Sequence, residues 1–117
     1  MLRGVRGAVQ AKANKRESIL AAAEELMKAV IQANEIEAHA VASVFFTVTS
    51  DLDAAFPAAV RDRLDWAHVP FLCGCEIPVS GSLERVIRVL ILFETEKMQE
   101  AIRHQYLGEA KRLRPDL

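Results

Sequence analysis

The segment KRESILAAAEELMKAVIQ, residues 15–32, decides the fold class of this chain. Its apolar side chains recur with the spacing of one face of an α-helix; they are Ile19, Leu20, Ala23, Leu26, Met27, Val30 and Ile31. We expect Asn14 to cap the start of this helix and Asn34 to end it. Because a helix with a single apolar stripe packs on a flat surface, the segment predicts a helix lying on a β-sheet.

Four runs rich in β-branched and aromatic residues predict the strands of that sheet, at residues 2–9, 41–49, 69–76 and 86–94. Their two apolar faces imply that the helix covers one side of the sheet and a neighbouring subunit the other. Pro57 suits the start of a short helix through Leu64. The pattern of residues 96–107 indicates a further helix after Thr95. These elements predict an α+β fold with a mostly antiparallel or mixed sheet.

Length and composition limit the classes of function. The 117 residues predict a single domain, 1–117, and the 51% of hydrophobic residues favours an oligomer. The chain has 15 basic and 16 acidic residues, a net charge of -1. Because it has no excess of basic residues, a nucleic-acid or anionic-membrane partner is not expected. Cys73 and Cys75 have neither disulfide nor zinc spacing, and no stretch resembles a signal peptide or a membrane span. We therefore expect a cytoplasmic protein.

Arg88 is the residue that most clearly indicates a site. In a strand it shares its face with Val86, Leu90 and Leu92, and a cation among apolar neighbours needs an anionic partner. Glu76 is the candidate partner. The alternative is a structural ion pair or a charge that protects a strand edge.

The other candidate residues have ordinary alternatives. Arg3 and Arg6, beside glycines, suit a carboxylate or phosphate, but they also fit a plain first strand. Cys73-Gly74-Cys75 suggests redox chemistry, although free cysteines in apolar strands are usually small core residues. No catalytic triad, zinc motif or phosphate loop is present. A surplus of arginine without acid–base machinery indicates a site that binds a small polyanion without covalent chemistry.

Five motifs, in order and with near-constant spacing, resemble one enzyme family. They are Arg3-Gly4-Val5-Arg6-Gly7-Ala8, Asp51-Leu52 with Ala55-Phe56-Pro57-Ala58, Val69-Pro70 with Cys73 and Glu76, Gly81-Ser82-Leu83 with Val86-Ile87-Arg88-Val89, and Ile102-Arg103-His104 with Tyr106-Leu107 and Leu113-Arg114-Pro115-Asp116-Leu117. Together they are similar to the monofunctional chorismate mutases of the small trimeric bacterial class, not the all-helical class. The resemblance covers essentially the whole chain.

The resemblance implies a mixed five-stranded sheet with one long helix and a short helix. Three subunits are expected to join as a homotrimer, a pseudo α/β-barrel with active sites at the subunit interfaces. It also implies that residues 102–106 are partly a strand. The implied reaction is the Claisen rearrangement of chorismate to prephenate in phenylalanine and tyrosine biosynthesis, with no cofactor and no metal.

The resemblance also implies a role for each site residue. Arg88 would donate to the ether oxygen, Arg6 and Tyr106 would bind the enolpyruvyl carboxylate, and Glu76 would accept from the ring hydroxyl. The residues expected to line the pocket are Leu72, Cys73, Gly74 and Cys75. Those expected to form its wall and lid, some from the adjacent subunit, are Phe56, Arg61, Leu113 and Arg114.

Three departures and two alternatives accompany these roles. The chain is one residue shorter than is usual between Pro57 and Trp66, which affects Arg61, and it stops at Leu117, so any lid is short. Cys73 and Glu76 have opposite parity in a straight strand, so Cys73 shares a ligand with Glu76 only through its backbone or across a bend. The alternatives are a trimeric binding or sensor module without turnover and an imine deaminase of the related trimeric fold.

Overall fold

A computed structural model describes residues 1–116 of the chain. Its strands are β1 (Leu2–Gln10), β2 (Val41–Val48), β3 (Phe71–Cys75), β4 (Val86–Glu94) and β5 (Gln105–Tyr106). Its α-helices are α1 (Arg16–Asn34) and α2 (Arg61–Leu64), and its 3₁₀ turns are Ala38–Ala40, Pro57–Val60, Gln99–Ala101 and Gly108–Leu113. Across residues 1–116, no helix has both the length and the apolar character needed to cross a membrane.

The five strands form one mixed sheet in the order β3-β2-β4-β1-β5. Strand β4 pairs antiparallel with β1 and β2, whereas β3 and β5 join the two edges in parallel. The prediction of an α+β fold with a mixed five-stranded sheet, a long helix and a short helix is therefore confirmed. A bulge between Val41 and Ser43 shifts the register of β2, so the predicted alternation holds only beyond it.

The two faces of the sheet are covered very differently. Helix α1 buries one face, where Leu26 and Val30 belong to the same core as Val5, Phe46 and Ile91. The opposite face carries exposed or half-buried apolar side chains, namely Phe45, Leu72, Leu90 and Leu92. The side chain of Arg88 stands on this second face. We call it the open face.

Both predicted ends of the long helix are wrong by one residue. Lys15, not Asn14, precedes the first helical residue, and it makes no side-chain capping bond. Asn14 instead exchanges hydrogen bonds of 2.8 and 3.0 Å with Asp53, because the loop before α2 offers it partners. The left-handed residue that ends the helix is Glu35, with φ 54°, and Asn34 forms its last turn.

The helix predicted from the pattern of residues 96–107 is also wrong. That segment contains only the turn Gln99–Ala101 before it enters β5. The buried Asn34 side chain accepts from the Arg103 amide at 2.8 Å and donates to the Arg103 carbonyl at 2.9 Å, which holds the backbone extended. Strand β1 then provides the partner for β5, so tertiary hydrogen bonds override the local pattern. The expectation that residues 102–106 are partly a strand is confirmed.

Candidate active site

One row of residues crosses all five strands on the open face. The strand register aligns Gly74, Thr47, Arg88, Ala8 and Tyr106, in that order. At Gly74 the Phe45 ring takes the space beside the backbone, 3.1 Å from where a Cβ would stand, and Ala8 is fully buried. A cleft of about 160 Å³ lies along this row; its lining side chains include Arg6, Phe45, Thr47, Arg88, Leu90 and Tyr106.

Arg88 and Glu76 form the ion pair that the sequence predicted. Arg88 Nε lies 3.3 Å from Glu76 Oε1, and the Glu76 side chain is 21% exposed. The second carboxylate oxygen of Glu76 accepts a hydrogen bond from the hydroxyl of Thr47. Glu76 lies two residues beyond Gly74 and therefore on the same side of the sheet, so the carboxylate leans over the row just described.

The Arg88 guanidinium is only partly satisfied. Its Nε atom is buried, and among residues 1–116 no acceptor meets it in hydrogen-bonding geometry, despite the short distance to Glu76. A buried N–H without a good acceptor is unfavourable by about 1–3 kcal/mol. Because 40% of the Arg88 side chain is exposed and borders the cleft, the arginine remains available to a ligand that brings an oxygen there.

Arg6 and Tyr106 border the same cleft from β1 and β5. The backbone N–H of Arg6 donates to Nδ1 of His104 at 3.0 Å. Arg114, in the C-terminal tail that follows the turn Gly108–Leu113, lies beside them. Its guanidinium donates to both carboxylate oxygens of Asp116 at 2.9 and 2.7 Å. Because Asp116 balances the charge of Arg114, Arg6 leaves this end of the row with a net positive charge, which suits an anionic ligand.

Charge and burial explain the perturbed pKa values around the row. The Arg114 guanidinium holds the pKa of Asp116 at about 2. Burial, together with the positive charges of Arg6 and Arg114, lowers the pKa of His104. Burial raises the pKa of the Cys73 thiol, which therefore stays protonated near neutrality and is a poor redox nucleophile.

Several predicted site residues lie away from the cleft within one chain. Cys73 and Phe56 line a separate cavity, of about 560 Å³, on the other side of β3. Arg61 stacks over the Phe71 ring at 6.0 Å, and Leu72 and Cys75 are exposed. The tail residue Leu113 packs against the cluster that contains Tyr106. The parity argument for Cys73 agrees with this placement, since its side chain packs toward the core under α1.

Sequence reasoning missed three residues of the site, which are Thr47, Phe45 and His104. Thr47 and Phe45 share one face of β2 by simple alternation, and their register with β4 places them beside Arg88 and Leu90. The alternation of side chains along β2 therefore predicts that Thr47 and Phe45 share a face. Only the pairing of β2 with β4 shows that this face is the one that carries Arg88. For His104 alternation gives no such signal, because its contact with Arg6 depends on the pairing of β5 with β1, and only the resemblance predicted a strand there.

A larger cavity does not suit an anion. It has a volume of about 400 Å³ between α1 and the end of β1. Its charged lining is mainly acidic; the residues are Lys12, Glu17, Glu25 and Glu109. The carboxylates would repel a polyanion, so the smaller cleft at Arg88 is the better candidate despite its size.

The comparison with known proteins now decides the family. The family model described as chorismate mutase type I matches residues 2–117. The chain belongs to this family.

The relatives of this chorismate mutase type I chain match it over its whole length. A chorismate mutase AroH of Thermus thermophilus is 48% identical over 118 residues, covering 100% of this chain and 97% of the relative. The chorismate mutase AroH of Bacillus subtilis (strain 168) is 39% identical over 118 residues, covering 100% and 93%. The solved structure of a chorismate mutase from Clostridium thermocellum superposes with a TM-score of 0.92 at 39% identity, covering 94% of this chain and 98% of the other.

These matches confirm the resemblance found in the sequence, including its distinction from the all-helical class. The matches support chorismate mutase function, which is an isomerase activity. They do not favour the alternative of a sensor module without turnover. The five-stranded sheet with its long helix is likewise that of a chorismate mutase.

Proposed function

We propose that this chorismate mutase rearranges chorismate to prephenate in the cleft at Arg88. In the reaction the ether C–O bond breaks as a new C–C bond forms, and the electrons move in one cycle without proton transfer. Such a reaction needs no nucleophile. Catalysis comes from holding the dicarboxylate in its reactive chair and stabilising the charges that separate as the C–O bond loosens.

Arg88 supplies the central stabilisation. Negative charge develops on the ether oxygen in the transition state, and a fixed guanidinium donor is worth most where that charge appears. The observation that supports this role is that Arg88, although paired with Glu76, keeps 40% of its side chain exposed and lines the cleft. A ligand oxygen in the cleft would satisfy the donors of this guanidinium.

The neighbours of Arg88 hold and polarise the substrate. Arg6, with Tyr106, binds the enolpyruvyl carboxylate at the cationic end of the cleft. Glu76 accepts from the ring hydroxyl and offsets positive charge on the ring. Thr47 keeps the Glu76 carboxylate in place through the hydrogen bond between them.

The complete site, in this proposal, belongs to a homotrimer. The cleft is shallow in one chain, and the open face beside it leaves Leu72 66% and Phe45 38% exposed. A neighbouring copy of the chain would cover such an exposed apolar face at low cost in desolvation. The neighbouring subunit would add the wall residues Phe56 and Arg61.

The remaining lining residues complete the pocket. Leu72 and Gly74 face the open side, Cys73 and Cys75 contribute through the backbone, and Leu113 and Arg114 form a short lid. Because both cysteines are free thiols, we place the enzyme in the reducing cytoplasm.

Conversion of chorismate to prephenate by the purified protein tests the proposal, with Arg88→Ala beside the wild type. We expect Arg88→Ala to lose at least about 10²–10³ of the turnover rate. Arg103→Ala is the matched control, since Arg103 is exposed and its recorded contacts are through its backbone. A folded wild-type protein that binds chorismate without turnover would support the sensor alternative instead.

A further inference from the structure

The edge of the sheet beside the cleft contains an unusual hydrogen bond. Strand β5 is two residues long, and it pairs with β1 through Gly7 and Ala8. The ladder continues past β5 as the Leu107 amide donates to the Ala8 carbonyl at 2.9 Å. At the other end of the ladder, the backbone N–H of Arg6 donates to a side-chain atom, Nδ1 of His104, instead of a backbone carbonyl. The imidazole therefore extends the ladder by one residue, to the residue whose side chain borders the cleft.

This bond defines the protonation state of His104. Nδ1 accepts only in a neutral ring that carries its hydrogen on Nε2, because an imidazolium is a donor at both nitrogens. A second proton would set an N–H of His104 against the N–H of Arg6. The bond between β1 and residue 104 would then be lost.

The charges around His104 oppose that second proton. Burial is the largest cause that lowers the pKa of His104, and the positive charges of Arg6 of β1 and Arg114 of the tail add to it. Asp116 opposes them, but its carboxylate is bound on both oxygens by Arg114. On its own segment, His104 is flanked by the exposed Arg103.

We propose that His104 is a positioning residue that, while neutral, fixes Arg6 for substrate binding and that, on protonation, releases it. This rests on the proposed role of Arg6 in binding the carboxylate. The reaction itself transfers no proton, so an acid limb in substrate affinity reports protonation of a group that binds or positions the substrate, and His104→Asn tests whether that group is His104. The effect belongs mainly in KM, because Arg6 holds the substrate whereas Arg88 acts on the breaking bond.

The sign of the effect follows from the shifted pKa. The pKa of His104 is lowered from 6.5, so the neutral ring persists at and above neutrality and the profile there is flat. Below that range the proton binds, the Arg6 amide loses its acceptor, and KM rises. The added positive charge would by itself attract a dianion and lower KM. The direction of the change in KM therefore separates the positioning effect from simple charge attraction.

The test is the pH dependence of kcat and KM between about pH 5 and 8 for four proteins. In the wild type we expect KM to rise about tenfold on the acid side while kcat changes less. His104→Asn places a non-titrating oxygen where Nδ1 lies, so the acid limb should disappear with KM near the neutral wild-type value. His104→Leu, which has no acceptor, should raise KM about tenfold at every pH. His39→Asn, at a histidine whose side chain is 80% exposed, should keep the acid limb.

A second readout does not depend on turnover. NMR titration of the wild type should show the Arg6 amide and the His104 ring changing together, with one midpoint below pH 6.5. The proposal would be overturned if the Arg6 amide resonance did not change as His104 titrates. It would also be overturned if the acid limb persisted in His104→Asn, or if the KM of the wild type fell at acid pH. If His104→Leu fails to fold, His104→Asn and the titration still decide. If the protein were not a chorismate mutase at all, turnover would be absent at every pH, whereas the NMR titration of His104 and the Arg6 amide would be unchanged.

Discussion

At the scale of single residues, the site consists of one partly satisfied cation and the groups that hold its counter-ion. Arg88 lies within 3.3 Å of Glu76, yet its buried Nε has no well-aligned acceptor in residues 1–116. The structural ion pair, which was the alternative in the sequence, is thus present, and it is compatible with the proposed catalytic role of Arg88. Glu76 balances the charge of Arg88 in the free protein without occupying all of its donors.

Thr47 gives a first prediction at this scale. Thr47→Val keeps the shape of the side chain but removes the hydroxyl that binds Glu76, so the carboxylate loses its fixed orientation. We expect kcat/KM to fall about tenfold, as for the loss of one charge-assisted hydrogen bond. Thr47→Ser, which restores the hydroxyl, should stay within about threefold of the wild type. Steady-state kinetics on both variants check this, and equal activity of Thr47→Val and wild type would remove Thr47 from the account.

Site residues could be recognised from the sequence where they depart from the pattern of their own strand. Arg88 is recognisable because a cation interrupts an apolar strand face, and Glu76 because it ends a strand that precedes Arg88 in the chain. Thr47 and His104 show no such departure. Their contribution comes from partners 29 and 98 residues away in the chain, which only the pairing of the strands brings close.

At the scale of elements, patterns that reflect burial were reliable and patterns without tertiary support were not. Helix α1 and strands β1, β2 and β4 follow the apolar periodicity closely, because each buries one face in the core. Residues 96–107 have a helical pattern, but the buried Asn34 holds Arg103 extended. The fixed partners of an extended segment outweigh a weak local preference. The resemblance to the family predicted the strand where periodicity did not.

Gly7 gives the prediction at the scale of elements, because this residue of β1 packs closely against both β5 and α1. A Cβ atom at Gly7 would come within 2.8 Å of the Gln105 carbonyl oxygen and 2.9 Å of Leu26 Cδ1. Gly7→Ala should therefore displace β5, lower the free energy of unfolding by about 1–3 kcal/mol and raise KM through Arg6 and Tyr106.

The control for Gly7→Ala is Gly4→Ala in the same strand. There the new Cβ would lie 3.4 Å from methyl groups of Leu90 and Leu92, an ordinary contact. Denaturant unfolding of both variants makes the comparison. If Gly7→Ala proved as stable as Gly4→Ala, the close packing of β5 against β1 would be disproved.

At the scale of the whole molecule, the uncovered sheet face indicates how the chain assembles. One face is sealed by α1, whereas the other exposes apolar side chains next to the shallow cleft at Arg88. A soluble protein rarely leaves such a face bare, and closed symmetry is the usual way to cover it. The proposed homotrimer would account for both the high apolar content and the open cleft.

Sedimentation equilibrium tests the assembly. We expect the wild type to have three times the chain mass of 13.0 kDa. Leu72→Asp places a charge on the open face, where the side chain is 66% exposed in one chain, and should shift the mass toward that of the monomer. Met98→Asp, at an apolar side chain that is 58% exposed outside the sheet, should leave the mass unchanged. A monomeric, fully active wild type would refute the interface site.

The most direct test of the central claim, that Arg88 stabilises the transition state, is the kinetics of Arg88→Lys. Lysine keeps the charge but replaces the planar fork with a single point, so a donor fixed on the ether oxygen is lost. We predict a fall in kcat of about 10²–10³. The affinity for prephenate, measured by calorimetry, should change by less than about tenfold. An Arg88→Lys enzyme with near-wild-type kcat, or one whose loss lies wholly in substrate affinity, would contradict the account.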